Sequence, residues 1–145
     1  MSKVTTTAAE PTGGGTTADA TTPQRLMELF AQRAAAGDLD GLVELYEPDA
    51  VFQPQAGVTC TGHDEIRAAL AELVAIRPRI EYRGVPDVLD TGEVALVSND
   101  WVMTGEAPDG SVVREGGLSA DVVRRRPDGT WRVLIDQPRG APVAS

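Results

Sequence analysis

The chain reads as an α+β domain, with helices first and a hairpin-linked antiparallel sheet after them. Apolar residues recur at helical spacing as far as Ile76, and strand-like runs take over from Arg79. Three turn signals divide those runs: Asp90-Thr91-Gly92, Pro108-Asp109-Gly110 and Pro127-Asp128-Gly129. Three helices followed by such strands pack on one face of an antiparallel sheet. A chain of 145 residues makes one domain with room for a sizeable core.

Residues 1–21 are Thr, Ala and Gly with almost nothing large to bury, and are expected to form a disordered tail. No apolar stretch follows Lys3, so this segment does not read as a secretory signal. The folded domain is expected over 22–139, with a short tail at 140–145. Thr22-Pro23 offers an N-cap and a first-turn proline. Leu26, Leu29, Phe30 and Arg33 follow at helical spacing until Gly37. Asp38 caps a short second helix carrying Leu39, Leu42, Val43 and Tyr46, which stops before Pro48. Ala50-Val51-Phe52 reads as a short extended piece, with a loop from there to Gly62. A third helix runs from about His63 to Ile76, striped by Ile66, Leu70, Leu73 and Val74, and Pro78 ends it. Strands are expected at 79–89, 93–105, 112–126 and 130–137.

Composition narrows the function. A formal net charge of −9 argues against nucleic acid and anionic membrane surfaces as partners. No apolar run approaches the roughly 18 residues of a spanning helix. Cys60 is the only cysteine, which forbids an internal disulfide and makes the cytoplasm the expected compartment. It has no neighbouring Lys or Arg to lower its pKa, so it is not expected to act as a nucleophile. One His and one Cys do not build an ordinary zinc site, and no metal is expected. Arg124-Arg125-Arg126 reads as a solvated run.

The two Pro-Asp-Gly turns predict strand register. Each suits a three-residue hairpin loop with Gly in the left-handed position. The first pairs Met103 with Glu115, Trp101 with Gly117, Asn99 with Ser119 and Val97 with Asp121. The second pairs Arg125 with Trp131, Val123 with Val133 and Asp121 with Ile135. One face then carries Val97, Asn99, Trp101, Ser119, Asp121, Val133 and Ile135; Leu96, Val102, Leu118, Val122, Leu134 and Asp136 lie on the other. A two-residue Asp-Gly loop would instead bring Asp121 opposite Asp136, but the proline disfavours it. The first face mixes large apolar groups with a few polar ones, the composition of a small-molecule pocket. The second is apolar enough to take another subunit, so a homodimer is expected.

The helix junction Ala36-Gly37-Asp38-Leu39-Asp40-Gly41, the strand entry Asp49-Ala50, Gly62 before the third helix and the closing Asp128-Gly129-Thr130-Trp131 together carry a resemblance. Over roughly residues 23–139 the chain resembles the nuclear-transport-factor-2-like superfamily, which includes ketosteroid isomerase and the SnoaL-like polyketide cyclases. The resemblance implies a cystatin-like α+β roll, with a pocket between a curved sheet and the first and third helices. In ketosteroid isomerase a helix-one tyrosine polarises the substrate carbonyl; that position is Phe30 here. Its base falls on Pro54, flanked by Gln53 and Gln55, and its protonated aspartate on Asp121. The resemblance therefore does not imply steroid isomerisation by that mechanism. SnoaL-like cyclases, which use an aspartate at this strand position as acid/base, resemble the chain better.

Asp121 is the one candidate catalytic residue, an acid whose pKa apolar surroundings would raise. Its plainer reading is a strand aspartate hydrogen-bonded to Ser119, Asn99 or the backbone. Phe30, Asn99, Trp101, Ser119, Tyr46, Phe52 and His63 complete the substrate-binding candidates. Of these, Tyr46 and Phe52 read first as core, and His63 as a helix-cap residue that otherwise reaches the pocket mouth. Two functions follow: a cofactor-independent isomerase, cyclase or dehydratase on a small apolar or aromatic, polyketide-like ligand, or a non-catalytic binding or dimerisation module.

Overall fold

The computed structural model describes residues 20–140; most of the two expected tails, 1–19 and 141–145, lies outside the described residues. The elements are α1 (Pro23–Ala36), α2 (Leu39–Glu44), β1 (Tyr46–Gln55), β2 (Val58–Thr61), α3 (Gly62–Ala75), β3 (Arg79–Asp90), β4 (Val94–Glu106), β5 (Val112–Leu118), β6 (Asp121–Arg125) and β7 (Trp131–Asp136). The strands form one sheet in the order β2-β1-β7-β6-β4-β3, with β5 pairing β4. Every pair is antiparallel except β1 with β7.

Local chemistry sets the helix ends. The Thr22 hydroxyl accepts from the Arg25 N–H at 3.0 Å, and Pro23 starts α1 without a donor to satisfy. Gly37 takes φ 72°, and its N–H and that of Asp38 bond back to Ala34 and Arg33. Asp38 then caps α2 through the Gly41 N–H at 2.9 Å. At α3 the Glu65 carboxylate accepts from the Thr61 N–H at 2.8 Å. His63 is thus not the cap: its Nε2 lies 2.9 Å from the Tyr46 carbonyl oxygen. Order also begins earlier than Thr22, since Ala20 is fully buried and its carbonyl accepts from the Trp131 N–H at 2.8 Å.

Three expected assignments fail for physical reasons. Tyr46 opens β1 instead of ending α2, and β1 turns at Gly57 (φ 82°) into β2, where a loop was expected. Pro48 falls where the β1–β7 register shifts between Tyr46 and Val51, so the strand lacks a regular alternation to read. The expected strand 112–126 is two strands. It breaks at Ser119-Ala120, where the Ala120 N–H turns to the Gln137 carbonyl at 2.9 Å.

The first turn's register is as predicted, with Trp101 opposite Gly117 and Val97 opposite Asp121. The second turn also forms as predicted: the Arg126 N–H bonds Thr130 O at 2.7 Å, and Gly129 is left-handed at φ 86°. Val123 meets Val133, but Val122 rather than Asp121 then meets Ile135, because β7 carries an extra residue at Leu134. This bulge reverses the faces beyond it. Ile135 turns outward, 42% exposed, and Asp136 joins the face of Asp121.

Helices α1 and α3 pack on β3 and β1, and the core between them and the sheet includes Leu26, Leu42, Tyr46, Ile66, Leu70, Val97 and Val123. On the same chain, Glu47 is buried and holds both Arg124 (Nε–Oε1 2.9 Å) and Arg126 (Nη1–Oε2 2.6 Å). The arginine run is therefore not simply solvated. A buried carboxylate needs such partners, and these tie β1 to β6 across β7.

Candidate functional site

Between the helices and the inner sheet face lies a cavity of about 190 Å³, partly open to solvent. Its walls are mostly apolar: Met27 and Phe30 from α1, Leu73 from α3, Phe52 from β1, Ile80 and Tyr82 from β3. Tyr82 is fixed by its hydroxyl, which donates to the Met27 carbonyl at 3.0 Å. The volume decides the scale of ligand. A cavity of ~150 Å³ holds benzene, and drug-sized ligands fill roughly 300–1,000 Å³. This cavity suits one or two rings.

Its polar groups gather at the buried end. Asp121, 6% exposed, accepts from the Gln137 N–H at 2.9 Å and from the Ser119 hydroxyl, and its carboxyl bonds that of Asp136. Ser119 Oγ in turn accepts from the Asn99 N–H at 3.0 Å. Asp136 also accepts from the hydroxyl of Tyr46, which is fully buried and edge-on to Phe30 at 6.4 Å between ring centroids. Asn99 is 4% exposed, and its side-chain nitrogen is buried at the cavity wall with no protein partner. An orphaned buried donor costs about 1–3 kcal/mol.

The electrostatics follow from the two carboxyls. Burial pushes Asp121 well above the usual carboxylate range, and the adjacent Asp136 charge adds to it, against the Gln137 N–H and Ser119 hydroxyl. Burial also raises Asp136, but hydrogen bonds from Tyr46 and Asp121 favour its ionised form. The pair holds one proton between its two carboxyls, because two adjacent buried carboxylates do not both ionise. Burial and the Asp136 charge likewise raise Tyr46, which stays a neutral donor.

Of the sequence candidates, Phe30, Phe52, Asn99, Trp101, Ser119 and Asp121 line this cavity. Tyr46 stands behind its wall and reaches the site through Asp136. His63 is not on the wall, since its ring is engaged with the Tyr46 carbonyl. Asp136 was placed on the opposite face by regular alternation; only the bulge at Leu134 brings it in. Cys60 lies away from the cavity, with its thiol pushed up by burial and by Glu65 and Glu72. Among the described residues no group of three or more His, Cys, Asp or Glu is placed to hold a metal ion, and no helix is long and apolar enough to cross a membrane.

An α+β roll with a cavity between helices and a curved sheet defines the nuclear-transport-factor-2-like class, also described as cystatin-like. The profile of SnoaL-like domains matches residues 24–134, and the chain belongs to that family. A nuclear-transport-factor-2-like superfamily protein from Salmonella enterica superposes with TM-score 0.71 at 16% identity, over 83% of this chain and 90% of that one. A protein provisionally named scytalone dehydratase, from Novosphingobium aromaticivorans, gives 0.72 at 12% identity, over 83% and 91%. A cystatin-like-fold protein from the same organism gives 0.62 at 22% identity, over 78% and 75%. At these identities the likeness is one of fold. No curated protein matches the sequence.

Proposed function

We propose that this cavity is the active site of a cofactor-independent acid/base enzyme of isomerase, cyclase or dehydratase type. The observation that carries the reading is the hydrogen-bonded carboxyl pair Asp121–Asp136 at the buried end of an apolar cavity, beside the orphaned Asn99 amide. Each of those reactions takes a proton from one substrate atom and gives one to another. Asp136, with Tyr46 and Asp121 donating to it, serves as base, and Asp121 supplies the proton. The Asn99 amide donates to a substrate carbonyl oxygen as charge builds there. Phe30, Phe52 and Trp101 hold the ring. The neighbour provisionally named a dehydratase supports this class of chemistry through shared fold only.

Hydrogen–deuterium exchange of the methyl protons of acetophenone in D₂O, followed by NMR, tests the pair. Wild-type protein should accelerate exchange over buffer. Asp136→Asn should lower that rate by about 10²–10⁴, the range of one acid/base group. Exchange unchanged in both Asp136→Asn and Asp121→Asn would rule the pair out. It would favour the second reading, a non-catalytic binding module using the same cavity, for which the buried unpaired donor is equally apt.

A further inference from the structure

The cavity has a second polar end. At its mouth the segment after β7 crosses back over β5 and presents Arg139, the only basic side chain among the described residues lining the cavity. Its guanidinium carbon lies 6.0 Å from the Trp101 ring centroid, and its Nη2 reaches Glu115. The crossing is held along its length. The Trp101 Nε1–H donates to Pro138 O at 2.6 Å, Gln137 Nε2 donates to Gln53 Oε1 at 3.1 Å, and the Gly140 N–H returns to Gln137 O at 3.1 Å. Gly140 has φ 67°, and a Cβ there would come within 2.8 Å of the Leu118 carbonyl oxygen. Only glycine lets the segment lie this close. Arg139 is therefore positioned by the backbone.

We propose that Arg139 selects a ligand carrying a carboxylate at the end of the ring opposite its carbonyl, which makes the substrate class an aromatic keto acid. The inference rests on the reading of the cavity as the active site and names its substrate. Donors at the buried end meet the carbonyl, aromatic walls cover the ring, and the cation at the mouth meets the acid. Glu115 is no obstacle. It is an exposed partner, and exposed ion pairs contribute little. A ligand carboxylate offers the same charge in the fork geometry of a guanidinium, with a ring to bury as well. Nor does the net charge of −9 decide the matter. At physiological ionic strength charges are screened beyond ~8 Å, so the groups that line the cavity decide: Arg139 meets the ligand acid at the mouth against Glu115 beside it, with the Asp121–Asp136 pair at the other end.

Calorimetric titration of the full chain with 4-acetylbenzoate and with acetophenone tests this. Wild-type protein should bind the acid at least about tenfold more tightly than the neutral ketone. Arg139→Gln should equalise the two while leaving acetophenone affinity within about twofold, which shows the cavity intact. Glu115→Gln, which frees the guanidinium, should widen the gap. Equal affinities in the wild type, a gap that survives Arg139→Gln, or no binding of the acid overturns the proposal. Deuterium exchange into the acetyl group of the bound acid separates the two readings. A preserved affinity gap without exchange sinks the acid/base mechanism and leaves Arg139 as the selector.

Discussion

At the residue scale, Asp121 is costly to the fold and useful to the site for one reason: its carboxyl is buried against another. Its apolar strand neighbours were visible in the sequence, and a raised pKa could be expected from them. Its partner came into view only through the alternative two-residue loop that the proline disfavours, whereas the structure brings it in by a bulge at Leu134. Asp136 precedes Gln137-Pro138 at a strand end, and an acid there usually caps a turn or faces solvent. The stability consequence has a definite sign. The folded chain keeps the Asp121 proton at pH values where the unfolded chain, with a pKa near 3.9, has lost it. Native protein then binds more protons, so stability falls as pH rises from about 4 through the raised folded value. Asp121→Asn removes that dependence and keeps a donor for Asp136. Its Tm at pH 7 should exceed the wild type's, by roughly 4 °C per kcal/mol regained in a domain of this size. Melts from pH 4 to 8 check this; a variant less stable than wild type at pH 7 would contradict the shared-proton assignment.

At the element scale, the helices and both Pro-Asp-Gly hairpins were legible because their chemistry is local. Caps, left-handed glycines and periodicity act within a few residues of sequence. Tyr46 was missed as a strand opener because its pairing with Val133 joins distant parts of the chain. The bulge at Leu134 was missed for a similar reason: nothing local marks it, and only pairing to both β6 and β1 shows it. A bulge moves every later side chain to the other face, so it has a direct test. Regular alternation would bury Val133 and Ile135 alike, whereas the bulge buries Val133 and turns Ile135 out. Val133→Thr should therefore lower the urea-unfolding free energy by about 1–3 kcal/mol, the cost of a buried unpaired hydroxyl. Ile135→Thr should cost well under half as much. Equal losses at the two positions would restore the unbulged register and move Asp136 out of the site.

At the scale of the whole molecule, the outer sheet face exposes apolar side chains. All three helices pack against the other face, and nothing among the described residues covers this one. The register draws an apolar row across it: Leu89 opposite Leu96, Leu96 opposite Val122, Val122 opposite Ile135, and Ile135 opposite Val51. Leu89 is 63% exposed, and Leu96 and Ile135 are each 42% exposed. Rows of this kind on a sheet face mark an interaction surface. Charge of both signs borders the row, with Arg124 and Arg132 on one side and the paired Arg83 and Asp100 on the other. A two-fold copy can match that pattern to itself, because an isologous interface sets each patch against its own image. We propose that the occupant is a second copy of this chain. Sedimentation equilibrium at micromolar concentration should give twice the 15.3 kDa chain mass. Leu96→Asp with Ile135→Asp should give a folded monomer, since neither side chain supports the core on the inner face. Because the cavity opens on that inner side, acetophenone should still bind the monomer. Loss of binding on dissociation would mean that the sheet's curvature, and with it the spacing of Asp121 and Asp136, depends on the partner.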